Sequence, residues 1–293
     1  EIASCLVGSE MCIRDRYMGD RAFYRHYLLL AVPMILQNAI TNLVSFLDNI
    51  MVGQLGTEQM SGVAIVNQLI FVYNLAIFGA VSAASIFGAQ YFGNGDHRGH
   101  MHSFRFKLYA TLLVSGLTML LLLTKGSNLI SLYLTDTVGN GATDVALQYG
   151  KQYLVIMLVG LVPFAVNQAY ATNIKETGQT LVPMLASFVA VGTNAVLDYL
   201  LIFGVGPFPE LGVTGAALAT VIARYVEAVI VVFWAHRNRE KNRYLEGAYR
   251  GFGIPVSELK TILIKGLPLM FNEVLCCLLY TSPSPRDKRP ISY

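Results

Sequence analysis

TLVPMLASFVAVGTNAVLDYLLIFG, residues 180–204, is an apolar run that carries one acidic or basic side chain, Asp198. Its length matches the roughly 20 residues a helix needs to cross a bilayer. Hydrocarbon offers the backbone no hydrogen bonds, so a spanning run is either a helix or a strand of a closed barrel. Barrel strands alternate apolar and polar residues over about 10 positions. This run does not alternate, which makes it a helix. Asn194 precedes Asp198 by one turn, so the amide and the carboxylate share a face.

The same pattern recurs on both sides. Seven apolar segments can be marked, at 27–52, 60–90, 104–124, 148–172, 180–204, 212–235 and 258–279. The short amphipathic stretch 127–134 is expected to lie at the membrane interface rather than span. Hydrophobic residues make up 54% of the chain and charged residues 13%, against about 25% charge in an ordinary soluble domain. A soluble chain of this composition could not cover its own surface. The net charge of +3 is too small to imply a nucleic-acid partner. Cys5, Cys12, Cys276 and Cys277 have neither metal-ligand spacing nor the look of a disulfide framework. No HExxH, phosphate loop or nucleophile elbow is present, so neither an enzyme nor a cofactor is expected.

Both ends read differently. Residues 1–16, EIASCLVGSEMCIRDR, and residues 279–293 resemble the adapter read-through tails of translated sequencing fragments, and are expected to be non-native. The native piece is then expected to run from Tyr17 to Leu278 and to stop inside a helix.

Charge in the connections alternates. Twelve lysines and arginines flank one side of the segments, from Arg21 and Arg25 through Arg98, Arg105, Lys107 and Lys175 to the cluster 237–260, whereas the opposite connections hold only Lys125. The positive-inside rule then puts the N-terminus in the cytoplasm of a multi-pass protein in the plasma (inner) membrane.

Ionisable residues within spans are candidates for function. Asp48 in the first span and Asp198 in the fifth both run outward from the cytoplasm and reach similar depth at 1.5 Å per residue. Asn194 lies one turn inward, and Thr220 of the sixth span descends to about the same layer. Two carboxylates, an amide and a hydroxyl form an oxygen-rich set that suits a hard cation such as Na⁺, and the two acids also suit proton carriage. The alternative is that both acids merely reach the interface, and that Thr220 bonds back to its own helix. Polar residues at helical spacing, Gln37, Asn38, Thr41, Asn42 and Ser45, give the first span a wet face. Asn67 and Asn74 share a face of the second, and Asn167, Gln168 and Tyr170 lie in the fourth. These are expected to line a cavity, with helix–helix hydrogen bonding as the alternative. Glu273 in the seventh segment is a possible second acid.

Four stretches together resemble the MATE (multidrug and toxic compound extrusion) family: AVPMILQNAITNLVSFLDNIMVGQLG, GAQYFGNGD, NIKETGQTLVPMLASFVAVGTNAVLDYLLIFG and ELGVTGAALATVIAR. The third carries Gly178–Pro183 as the turn before the fifth span, then Asn194, Asp198 and the exit Leu201–Gly204. The resemblance covers nearly all of residues 25–278. It implies an all-α integral membrane protein: the six-helix N-lobe of a twelve-helix transporter over 17–235, a basic cytoplasmic linker over 236–257, and a truncated seventh helix of the C-lobe over 258–278. It implies a coupling-cation site (Na⁺ or H⁺) at Asp48, Asn194, Asp198 and Thr220, with Thr220 matched through GAALAT. In one subgroup an acid of the seventh helix is a second site; Glu273 sits at a different offset from Pro268 than that acid does. The implied partners are membrane lipid, the missing C-lobe and an amphipathic organic cation as cargo. A lipid or lipid-linked oligosaccharide flippase of the same superfamily would need basic residues in the cavity. The sequence places Arg224 and Lys151 near helix ends, which favours cationic cargo. An intramembrane carboxylate enzyme is the remaining alternative.

Overall fold

A computed structural model describes residues 21–135, 143–249, 253–255 and single positions between 259 and 275. The terminal segments 1–16 and 279–293, and Glu273, lie outside the described residues. The described residues form seven helices and no strand: α1 (Arg21–Gly53), α2 (Thr57–Gly93), α3 (His97–Thr135), α4 (Thr143–Val159), α5 (Leu161–Glu176), α6 (Leu181–Phe203) and α7 (Val213–Arg237), followed by a 3-10 turn at Arg243–Leu245. Five of these helices are long and apolar enough to cross a membrane, and a sixth span results if α4 and α5 are counted as one. Helical residues recur from Leu259 to Pro268 and at Leu275, within the seventh apolar segment.

Two expectations about the spans change. The segment 148–172 is not one straight helix but α4 and α5, bent by 44° at Gly160. Pro163 has no N–H for the carbonyl four residues back, and its ring crowds that carbonyl, which favours a bend at this point. The carbonyls around the break find other partners. Tyr73 donates its hydroxyl to Leu161 O at 2.8 Å, and Arg224 reaches Gly160 O at 3.5 Å. The stretch 127–134 is not a separate interfacial segment. It continues α3 without interruption, because nothing between Leu120 and Leu132 breaks the helix and Gly126 packs against Leu154 of α4.

The most extensive packing is of α6 on α7, α2 on α3 and α4, and α1 on α6. Close approach sets where glycine stands. A Cβ on Gly62 would lie 2.4 Å from Ala146 O of α4, and one on Gly215 would lie 2.6 Å from Leu201 O of α6. One apolar core joins α2, α4 and α7 through Val66, Ile70, Ile77, Met157 and Ala217. Outward faces are apolar as well, with Phe233 69% and Leu113 63% exposed. That pattern suits hydrocarbon as the surrounding medium rather than water. α1 is the helix with the least cover: only 6% of its apolar window is buried, against 44% for α2.

A second core closes the end of the bundle where α3 begins and α5 and α7 finish. Phe104, Tyr170, Ile174, Val231 and Ala235 meet Tyr244 and Leu245 there. The stretch after α7 is therefore folded against the helices at this end. Arg105 holds it, donating from Nε to Ala248 O at 2.9 Å, from Nη1 to Gly253 O at 3.0 Å and from Nη2 to Gly247 O at 2.6 Å. Deeper in the same end, Lys107 donates to Asn173 Oδ1 at 2.8 Å and to Glu176, which also meets His100 Nε2 at 3.3 Å. Arg105 and Lys107, read from sequence as connecting-loop charges, are buried groups of α3. Their carbonyl and carboxylate partners are what make that burial tolerable.

Candidate functional site

A cavity of about 630 Å³ opens between α1, α2, α5, α6 and α7. Its polar lining comes from faces that repeat at helical spacing. α5 supplies Gln168, Thr172 and Lys175, and α7 supplies Thr220, Arg224 and Glu227. α6 supplies Ser187 and Asn194, and α1 supplies Gln37, Asn38, Thr41 and Asp48. Residues three and four apart on a helix stand above one another, so each helix presents one wet stripe to a shared space.

Two layers can be told apart within it. In the first, Asp48 on α1 and Asp198 on α6 are neighbours whose carboxyl groups act on each other. Asp198 is 1% exposed and Asn194 is 5% exposed. Neither Asp198 oxygen, nor Asn194 Nδ2, makes a hydrogen bond. Two carboxylates only accept, so a proton or a metal cation between them is what would join them. Thr220 stands on the facing helix, its hydroxyl donating to Ala216 O at 3.0 Å and its lone pairs still available to the cavity. Tyr153 of α4 lies in the field of both acids, and donates to Asn67 Oδ1 at 3.2 Å.

The second layer lies nearer the end closed by Tyr244. Ser187 donates to Glu227 Oε1 at 2.5 Å and accepts from Gln37 Nε2 at 2.6 Å, so α1, α6 and α7 are joined by one hydroxyl. Lys175 and Arg224 both lie in the field of Glu227. The Arg224 guanidinium sits 5.2 Å from the centre of the Phe164 ring.

Among the residues expected to line a cavity, Gln37, Asn38, Thr41, Asn74 and Gln168 do so. The others stand elsewhere. Asn67 is engaged by Tyr153. Asn167 is 4% exposed, with Oδ1 unpartnered inside the bundle. Tyr170 belongs to the second core, its ring 5.0 Å from that of Phe104. Asn42 is exposed away from the cavity, and the Ser45 side chain lies outside the described ones. A pair of residues one position apart on a helix point about 100° apart, which is why Gln168 lines and Asn167 does not.

Three charged residues correct the sequence reading. Arg224 is not near a helix end but at the middle of α7, and Lys175 is not a loop residue but part of the last turn of α5; both line the cavity. Glu227 did not figure among the sequence candidates. The signal that could have found it was its place three residues after Arg224, seven after Thr220 and on the same face.

The profile of the MatE family matches residues 33–200, more than half of the chain. The chain belongs to the MatE family. The match spans the α1 acid and the α6 Asn–Asp pair. Over 218 residues, 74% of this chain, it is 27% identical to "Probable multidrug resistance protein NorM" of Thermotoga maritima, of which the match covers 45%. The chain spans about half the length of the curated relatives it matches. Two solved structures share the fold. An outward-facing multidrug resistance MATE family transporter of the MOP superfamily matches with a TM-score of 0.73 and 22% identity, over 85% of this chain and 52% of that one. A MOP superfamily transporter from Pyrococcus furiosus, described as having a binding pocket of reversed polarity, matches with a TM-score of 0.67 and 22% identity, over 85% of this chain and 52% of that one. The MatE chain is thus a multi-pass membrane protein with the half-fold of such transporters.

Proposed function

We propose that this chain is the N-terminal lobe of a cation-coupled exporter. A coupling cation, Na⁺ or H⁺, is held at Asp48, Asn194, Asp198 and Thr220. The observation that carries this reading is the acid pair: Asp198 is buried with no hydrogen bond on either oxygen, behind the half-buried Asp48 that lines one end of the cavity. Two neighbouring carboxylates within a membrane repel each other, and a cation between them relieves that repulsion. Cation entry changes the charge between α1 and α6. α1 has little other cover, so its packing on α6 is the contact this charge biases. A second lobe facing the cavity would convert that bias into alternating access. The cargo is an organic amphiphile with a cationic group, leaving as the cation enters. In this reading the protein sits in the plasma membrane, and the excess of lysine and arginine at the end that bears Arg21, Arg98 and Arg237 supports a cytoplasmic position for that end.

A flippase-like second reading draws on one observation, that Lys175 and Arg224 line the cavity. A carboxylate enzyme has no comparable support. The test is efflux of a fluorescent organic cation by the full-length protein in vesicles, under imposed Na⁺ and pH gradients. Gradient-driven efflux lost in Asp48→Asn and Asp198→Asn is the expected result. Efflux that persists in both variants would remove the acid pair from the mechanism.

A further inference from the structure

A groove of about 570 Å³ runs between α5 and α7, apart from the cavity. Its size is in the range of pockets that take small organic ligands. α5 gives it Val162, Pro163 and Val166, and α7 gives it the exposed Tyr225, Val229 and Phe233, with the small, buried Ala228 between them. These faces are the backs of the stripes that line the cavity. Tyr225, Val229 and Phe233 follow Thr220 by five, nine and thirteen residues, which at 3.6 residues per turn is about 140–220° round α7. Val162 and Val166 precede Gln168 by six and two residues, about 120–160° round α5. A second lobe that faces the cavity therefore leaves this groove to the membrane.

The groove has a length and a polar end. It follows α7 from Tyr225 to His236, a rise of about 16 Å at 1.5 Å per residue. That is about half of the roughly 30 Å of hydrocarbon in a bilayer, the depth of one leaflet. His236 stands at the end, in the last turn of α7. Its Nδ1 donates to Val232 O at 2.8 Å, and its Nε2 meets the Tyr249 hydroxyl at 3.3 Å, with the two rings stacked at 5.9 Å. The Tyr249 hydroxyl also meets that of Tyr170. Arg239 acts on the Tyr249 phenol, and Arg237 follows His236 in the chain; both arginines are exposed. Glu240 and Glu246 are exposed in the same stretch. Among the described residues the close ion pairs are those of Glu176, so neither of these acids is paired with Arg237 or Arg239. An apolar channel one leaflet deep thus ends at two aromatic side chains and a guanidinium that no carboxylate holds.

We propose that the α5–α7 groove holds one acyl chain of an anionic phospholipid, whose headgroup phosphate is received by Arg239 beside the Tyr249 ring. The guanidinium fork suits two-point contact with a phosphate. Basic groups at the end of an apolar groove between membrane helices hold acidic headgroups, and a tyrosine at that depth belongs at the membrane–water interface. The chain in the groove packs on both helices just past the 44° break at Gly160, so bound lipid stabilises the lobe there. The site lies outside the cavity and stands whichever cation and cargo the lobe handles.

The test titrates the full-length protein in detergent with phosphatidylglycerol and with phosphatidylcholine of the same acyl chains, and counts bound lipid by native mass spectrometry. Wild type is expected to hold phosphatidylglycerol about tenfold more tightly than phosphatidylcholine. One arginine at a headgroup changes affinity by about fivefold, so Arg239→Gln is expected to lose about that much of the preference, with phosphatidylcholine binding unchanged. Lys125→Gln removes the same charge away from the groove and is expected to keep the preference. A phosphatidylglycerol with a diazirine in its acyl chain locates the site: label is expected on residues 162–166 and 225–236, and is expected to fall in Ala228→Leu, which fills the groove. Melting of each variant without added lipid separates loss of the site from loss of the fold. Equal binding of the two lipids by wild type, or a full preference kept in folded Arg239→Gln, overturns the proposal. So does label spread evenly over the outward faces of the helices, the result for bulk lipid, or label absent from the groove, the result if the second lobe covers it.

Discussion

The Ser187 hydroxyl of α6 donates to Oε1 of Glu227 on α7 across 2.5 Å. The Ser187 oxygen also accepts from Gln37 Nε2 of α1 at 2.6 Å, so a side chain of two heavy atoms links three helices. α1 has the least apolar cover of the spans, which makes this polar tie a large share of what holds it to α6. Ser187→Ala leaves the Gln37 amide and the Glu227 carboxylate each without that partner. The expected cost is about 1.5–3 kcal/mol, the range for a hydrogen bond to a charged group. Melting of the full-length protein in detergent measures it, with Ser187→Thr expected to keep most of the stability. An unchanged melting point for Ser187→Ala would mean the hydroxyl is not a structural link.

Lys107 and Glu176 form a buried pair, 0% and 6% exposed, at the end of the bundle closed by Tyr244. A Cβ on Gly88 would stand 2.2 Å from Glu176 Oε2, so α2 approaches this carboxylate as closely as a residue without a side chain allows. Removing either partner leaves a buried charge alone, at an expected cost of about 3–5 kcal/mol for Lys107→Met or Glu176→Leu. The double variant removes both charges and is expected to be far less damaged than the sum of the singles. A thermodynamic cycle over the four proteins reads the coupling. Additive losses would show that the pair does not act as a unit. Gly88→Ala displaces the carboxylate and is expected to fall with the single variants.

Much of the span pattern was legible because apolar length is a physical requirement of the bilayer and leaves a direct trace in sequence. The α6 run with Asn194 and Asp198 is the clearest instance, since helical period alone puts the two polar groups on one face. The break at Gly160 was harder to read. Pro163 sits inside a continuous apolar stretch, and a membrane helix often absorbs a proline as a mild bend. What makes it a break of 44° is tertiary: Tyr73 and Arg224, distant in sequence, take up the carbonyls around it. The cavity was legible only by stripes. Spacing placed Gln37, Thr41 and Asp48 on one face of α1 and told nothing of which neighbour that face meets. Glu227 and Lys175 belong to the cavity because α5 and α7 turn those faces towards α1 and α6, and one sequence carries no trace of that rotation.

Arg105 anchors the chain after α7 through three carbonyls, those of Gly247, Ala248 and Gly253. The guanidinium fork matches this set, and an ammonium reaches one point at a time. Arg105→Lys is therefore expected to fail nearly as fully as Arg105→Ala. The readout is limited trypsin digestion of the full-length protein, followed by mass spectrometry of cuts at Arg239, Lys241, Arg243 and Arg250. Cleavage there is expected to speed up by about tenfold in both variants, as the local opening free energy falls. Cleavage at the wild-type rate in Arg105→Ala would show that the second core alone holds this segment.

Tyr244 is 1% exposed, with its ring centre 5.0 Å from that of His100 and 5.1 Å from that of Phe104. Its hydroxyl is buried without a hydrogen-bond partner. A phenol in that position contributes through its ring and is penalised for its oxygen. Tyr244→Phe is therefore expected to be neutral or stabilising by up to about 1 kcal/mol, the usual net size of one hydrogen-bonding group. Tyr244→Ala is expected to cost about 3–5 kcal/mol, as for other aromatic truncations in a core. Burial also pushes the Tyr244 phenol up from its ordinary value of 10.0. The folded state then holds that proton more tightly than the unfolded state, so this contribution is fully present below pH 10 and falls as pH rises past it. The stability difference between Tyr244→Phe and wild type should be flat below that pH and should widen in favour of Phe above it. Melting the two proteins side by side across that window checks both statements; a Phe variant that loses stability at neutral pH would mean the hydroxyl has a partner that holds it.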